Sequence, residues 1–90
     1  MTELARVTLL TQPDCAFCDQ AKQVLARVSQ DHALEIEEID LASERGHQLA
    51  MTHGVLFAPG VLLDGQSFSY GRLSEKRLRK TLSRTEVPTP

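Results

Sequence analysis

Residues 13–18 read Pro13-Asp14-Cys15-Ala16-Phe17-Cys18 and contain both cysteines of the 90-residue chain. The apolar run Val7 to Leu10 precedes them. A helical pattern of apolar residues follows at spacings of three and four: Phe17, Ala21, Val24, Leu25 and Val28. A Cys-x-x-Cys pair between a strand and a helix in a small protein is interpreted first as a redox dithiol. The unpaired N–H groups and the macrodipole of a first helical turn stabilise a thiolate, so the sequence predicts Cys15 as the nucleophile.

The length and charge of the chain restrict the classes of protein to which it can belong. Ninety residues form one domain, and a hydrophobic content of 41% is ordinary for a globular chain. The formal net charge of -2 indicates no polyanion partner, so we expect no binding of nucleic acid. No apolar run approaches the ~18 residues of a membrane span, and no secretory signal is visible. Two cysteines do not make a disulfide framework, so we expect a reducing, cytoplasmic setting in which the dithiol cycles.

Hydrophobic periodicity and turn residues predict seven elements in the order β-α-β-α-β-β-α. Strands are predicted over 6–11, 34–40, 60–63 and 66–70; helices are predicted to end near 29–30, to span about 43–53, and to begin after Ser74. Asp14 is the predicted N-cap of the first helix, and Asp64-Gly65 the predicted type I′ turn. The first strand–helix–strand unit predicts two parallel strands with a right-handed crossover. Residues 1–85 are predicted to form the domain, and 86–90 a flexible C-terminal tail.

This order of elements, with a Cys-x-x-Cys after the first strand, resembles the thioredoxin fold in its glutaredoxin-like form. The resemblance extends over about residues 7–84. Its matching pieces are Cys15-Ala16-Phe17-Cys18, Asp40, Gly54-Val55, Ala58-Pro59, Asp64-Gly65 and Gly71. It implies an α/β fold with a four-stranded mixed sheet and helices on both faces. It also implies a thiol–disulfide oxidoreductase in which Cys15 attacks the disulfide of a substrate and Cys18 resolves the mixed disulfide.

The resemblance further implies three substrate-binding positions near the dithiol. Phe17 matches the aromatic residue that glutaredoxins usually carry between their cysteines. Pro59 matches the family's cis proline, which faces the dithiol. Ala58 matches the residue whose backbone pairs with an extended segment of the substrate.

Three further candidate binding residues stand at positions that contact glutathione in glutaredoxins. Gln12 occupies the place of a common lysine or arginine, three residues before the first cysteine. Gly71 supplies one glycine of a pair, and Arg72 follows it in the loop that faces the dithiol. Arg72 is therefore a candidate to replace the missing charge. Ala16 stands where glutaredoxins commonly have proline.

The expected partners are a disulfide-containing protein or a glutathione-like thiol, with a flavoprotein reductase as another possible electron donor. The proposed chemistry requires no cofactor. Two alternatives stay open: a binding or regulatory module with little turnover, and a metal or iron–sulfur site that uses the cysteine pair. The second alternative could add His47 and His53, but residues 19–46 separate the two pairs, against about 12–15 residues in a zinc finger.

Overall fold

The computed structural model describes the backbone of residues 4–86 and the side chains of residues 4–83. Its elements are β1 (Ala5–Thr11), α1 (Ala16–Val28), β2 (Leu34–Asp40), α2 (Glu44–His53), β3 (Gly60–Leu63), β4 (Gln66–Tyr70) and α3 (Glu75–Glu86). The strand order is β2-β1-β3-β4. Strands β1 and β2 are parallel, whereas β3 runs antiparallel to both β1 and β4. The α/β class and the four-stranded mixed sheet are therefore confirmed.

Helices cover both faces of the sheet, and the central strand β1 has buried side chains on each face. Val7 and Leu9 belong to the larger core, which they form with residues of α1, β3, α3 and the loop before α3. Its other buried members are Ala21, Val24, Leu25, Val28, Val61, Leu73, Leu78 and Leu82. Leu10 belongs to a smaller core with α2, formed with Ile39, Ala50 and Val55. Burying one such aliphatic side chain contributes about 1.5–3 kcal/mol, so β1 is held firmly between two layers.

The start of α1 differs from the sequence-based prediction. The N-cap is Cys15, whose sulfur accepts a hydrogen bond from the backbone N–H of Cys18 at 3.1 Å. Asp14, predicted as the N-cap, precedes it with a left-handed φ of 54°. Phe17, predicted as part of the apolar stripe, is half exposed because the buried stripe begins at Cys18. The helix ends at Val28, a residue or two earlier than predicted.

The remaining turns and caps follow the local sequence. Ser43 caps α2, and Gly54 ends that helix with a left-handed φ of 68°. Asp64 and Gly65 both have positive φ, as a type I′ hairpin turn requires. Helix α3 runs to Glu86, so the rest of the tail predicted for 86–90 lies outside the described residues.

An ion-pair cluster joins α3 to the end of α1. Arg27 of α1 binds the carboxylate of Glu75 at 2.9 Å, and Arg79 binds the same carboxylate at 2.9 Å. Arg79 also pairs with Asp31 at 2.7 Å. The hydrogen bond from Arg27, followed by that from Arg79, lowers the pKa of Glu75. This carboxylate therefore links two helices of the larger core.

The lowered pKa of Glu75 predicts a pH-dependent contribution to stability. Because folding lowers this pKa, the contribution is complete above the ordinary glutamate value of about 4.3 and is lost as the pH falls through the folded value. We expect Glu75→Gln to lower the urea midpoint at neutral pH, and this deficit to shrink on acidification. Glu44→Gln is the matched control, because Glu44 is also the first residue of a helix. Identical pH profiles for the two variants would contradict the role of the arginines.

Candidate active site

The two cysteines form a disulfide at the N-terminus of α1. Their Cα atoms lie 5.1 Å apart, and the carbonyl of Cys15 accepts the N–H of Asp19 at 3.2 Å. Cys18 is only 2% exposed and packs at the start of the buried helical stripe, whereas Cys15 is partly exposed. Cys15 is therefore the more accessible of the two sulfurs to a substrate from solvent.

Sheet register brings the Ala58–Pro59 segment to the same end of the sheet as the dithiol. Leu10, near the end of β1, pairs antiparallel with Gly60, the first residue of β3. The chain therefore leaves β1 towards Cys15 where it enters β3 from Pro59. The Ala58–Pro59 bond is cis, the isomer that the resemblance implied, and both side chains are buried.

The turn after β4 joins this end of the sheet through a backbone hydrogen bond. Gly71 donates its N–H to the carbonyl of Pro59 at 2.8 Å and has a left-handed φ of 80°. A Cβ at Gly71 would lie 3.0 Å from the ring of Phe57, so a larger residue would displace that ring. Gly71 therefore allows a close approach of the two loops.

An aromatic pair, Phe57 and Tyr70, also lies at this end of the sheet, and neither residue is among the candidates predicted from the sequence. The rings of Phe57 and Tyr70 meet edge to face with centroids 5.1 Å apart. Phe57 remains 53% exposed and Tyr70 41% exposed. The available signal was position in the sequence: Phe57 lies two residues before Pro59, and Tyr70 lies one residue before Gly71. That spacing alone did not show that the rings meet.

A second missed residue, Gln20, ties α1 to the loop before α3. Its side-chain amide donates to the carbonyl of Leu73 at 2.9 Å and accepts the N–H of Leu73 at 3.1 Å. These paired hydrogen bonds hold the segment that carries Arg72 against the dithiol helix. No local pattern marks Gln20, because its partner lies 53 residues away in the sequence.

The two polar binding candidates, Gln12 and Arg72, are exposed. Arg72 lines an open cavity of about 480 Å³ beside Gln20, together with Ser74 and Lys76. Gln12 lies in the loop between β1 and Cys15. Within residues 4–86, no group of three or more His, Cys, Asp or Glu side chains is arranged to hold a metal ion.

A family model described as Glutaredoxin-like domain (DUF836) matches residues 6–83. The chain belongs to this glutaredoxin-like family. It is 31% identical over 87 residues to uncharacterized proteins of Mycobacterium tuberculosis and Mycobacterium bovis. Each match covers 94% of this chain and 90% of the relative.

Solved structures similar to this glutaredoxin-like chain support its thioredoxin fold. A mutant thioredoxin from Halobacterium salinarum has a TM-score of 0.72 at 19% identity, covering 96% of this chain and 78% of that protein. Glutaredoxin 1 from Francisella tularensis, solved with cacodylate, has a TM-score of 0.53 at 20% identity, covering 90% and 98%. At these identities the likeness concerns the fold alone.

Across the described part of the chain, no helix has the length and apolar character needed to cross a membrane.

Proposed function

We propose that this protein is a thiol–disulfide oxidoreductase in which Cys15 and Cys18 alternate between dithiol and disulfide. The observation that carries the proposal is the position of the disulfide, with a partly exposed Cys15 capping α1 and a buried Cys18 one turn later. The N–H of Cys18 already points at the sulfur of Cys15. After reduction the same N–H stabilises a Cys15 thiolate, because hydrogen bonds to charged acceptors are the stronger ones.

The reaction proceeds through two exchanges of sulfur–sulfur bonds. The Cys15 thiolate attacks one sulfur of the substrate disulfide, that bond breaks, and the leaving thiolate takes a proton from solvent. Cys18 then loses its proton and attacks the Cys15 sulfur of the mixed disulfide. The Cys15–Cys18 bond forms, the second substrate thiol leaves, and two electrons have passed to the substrate.

A second reductant regenerates the dithiol by the reverse exchange. Two molecules of glutathione, or a flavoprotein reductase, supply the two electrons, and the protein requires no cofactor of its own. We place this cycle in a reducing compartment such as the cytoplasm, where thiols are kept reduced. Phe17, Ala58 and Pro59 form the substrate-binding edge of this proposal, because all three lie at the end of the sheet that carries the dithiol.

The direct test mixes the reduced protein, freed of reductant, with a model disulfide. We expect release of substrate thiol and formation of the Cys15–Cys18 disulfide, detected by mass spectrometry. Glutathione and a thioredoxin-reductase system are then added in turn to identify the donor. Absence of thiol release in every arm would overturn the oxidoreductase and favour a binding module.

Glutathione is expected to be a weak donor because position 12 lacks a cation. Gln12→Lys offers a charge-assisted bond to a glutathione carboxylate, worth roughly 1.5–3 kcal/mol against about 1 kcal/mol for a neutral bond. Solvent screening at this exposed position removes part of the gain. We therefore expect glutathione-dependent turnover to rise roughly threefold to tenfold, and thiolate formation at Cys15 to shift to lower pH.

Gln30→Lys is the matched control, because it adds the same charge beyond the far end of α1. Arg72→Ala tests whether Arg72 already supplies the missing cation. Fast glutathione turnover by the wild type that Arg72→Ala abolishes would show that Arg72 does so. Unchanged glutathione-dependent rates in both Gln12→Lys and Arg72→Ala would show that glutathione is not the physiological donor.

A further inference from the structure

Large exposed apolar side chains gather at the dithiol end of the sheet. We define the apolar rim as Phe17, Leu56, Phe57 and Tyr70, which are 50%, 75%, 53% and 41% exposed. Phe17 lies in the first turn of α1, while Leu56 and Phe57 directly precede Ala58–Pro59. Tyr70 pairs with Gly60, where the chain enters β3. Exposed apolar groups in such a cluster mark an interaction surface.

Within the rim, Phe57 and Tyr70 are held in place before any partner binds. Their rings meet edge to face, and Phe57 also lies against the backbone of Gly71. Gly71 is hydrogen-bonded to Pro59, and Tyr70 is paired with Gly60 in the sheet. A preformed aromatic surface loses little conformational entropy on binding, so its exposed area is available to stabilise a complex.

The charges around the dithiol indicate which kind of partner this surface favours. The four rim residues carry no formal charge, and the exposed charged residues next to them in the sequence are Asp14 and Asp19 beside the cysteines and Arg72 after Gly71. Because these charges have opposite signs, they favour neither an acidic nor a basic group beside the substrate sulfur. A large apolar group beside that sulfur meets a surface that it can cover, and removing apolar area from water stabilises the complex.

We propose that Phe57 and Tyr70 select polypeptide disulfides in which a large apolar side chain is next to the attacked cysteine. This inference rests on the proposed oxidoreductase function and names its substrate class. The substrate's apolar side chain packs on the aromatic pair while its disulfide reaches the Cys15 sulfur. The exchange is the one written above, with the polypeptide disulfide as electron acceptor.

The test compares two peptide disulfides that are identical except for leucine or serine next to the cysteine. We expect the wild type to reduce the leucine peptide with the higher kcat/KM. Phe57→Ala should lower that value about tenfold while changing the value for the serine peptide less than about twofold, since removing apolar contacts in a binding pocket costs about 10-fold to 200-fold. Phe57→Leu should restore part of the preference. Ile36→Ala is the control, because Ile36 is also exposed but lies in the edge strand β2.

Each other outcome has a distinct meaning. Equal rates for the two peptides with the wild type would overturn the selection by the aromatic pair and leave the oxidoreductase standing. Reduction of neither peptide would overturn the oxidoreductase and this inference with it. A wild-type dimer in sedimentation that Phe57→Ala dissociates would show that a second copy of the chain covers the rim, and would also overturn the inference.

Discussion

Cys15→Ser is expected to abolish disulfide reduction, leaving thiol release at the level of a protein-free blank. Cys15 is the partly exposed sulfur at the helix N-terminus, and a serine hydroxyl at neutral pH does not replace a thiolate nucleophile. Serine is a preferred N-cap, so its oxygen can accept the N–H of Cys18 as the sulfur does. Circular dichroism and urea unfolding should therefore show a folded variant, and the loss is chemical.

Cys18→Ser is the complementary variant. It keeps the attacking thiol but removes the group that resolves the mixed disulfide, so we expect substrate adducts to accumulate on Cys15. Mass spectrometry of protein quenched with a thiol-alkylating reagent identifies the modified residue. Adducts that accumulate on Cys18 of the Cys15→Ser variant, with none on Cys15 of the Cys18→Ser variant, would reverse the two roles.

Gly46→Ala is expected to destabilise the protein by about 2–4 kcal/mol, which is large for a change of one methyl group. Helix propensity alone predicts that this substitution would stabilise the protein, because alanine is favoured over glycine by about 1 kcal/mol inside a helix. Gly46 is buried in the first turn of α2, and a Cβ there would overlap the carbonyl oxygen of Asp40. It would also lie 2.9 Å from the Asp40 carbonyl carbon and 3.0 Å from the hydroxyl of Ser43.

Displacing the neighbouring atoms would cost stability because they belong to a hydrogen-bonded turn. The backbone N–H and hydroxyl of Ser43 both donate to the Asp40 carbonyl, at 3.0 and 2.6 Å. The hydroxyl also accepts the N–H of Gly46 at 3.0 Å. Urea unfolding measures the effect, with Thr52→Ala as an exposed control in the same helix. A Gly46→Ala protein as stable as the wild type would contradict this contact.

Features that depend on neighbouring residues could be predicted from the sequence, whereas contacts between distant residues could not. The caps Ser43 and Gly54 and the Asp64-Gly65 turn were predictable, since each acts on backbone within a few residues of itself. Successive side chains of a strand point to opposite faces, so the first strand places Val7 and Leu9 in one core and Leu10 in the other. The order of these elements and the cysteine spacing carried the family resemblance. The resemblance in turn implied the four-stranded sheet and the position of the dithiol.

The sequence by itself therefore determined the elements, their order, and the placement of Cys15 and Cys18 at the start of α1. Only the tertiary structure decided that Cys15 rather than Asp14 caps the helix, that Gln20 holds Leu73, and that Phe57 meets Tyr70. Sheet register and helix packing bring together groups that are far apart in the chain, as in the 53-residue separation of Gln20 and Leu73. Residue type and periodicity report on near neighbours, so they carry no direct record of such contacts.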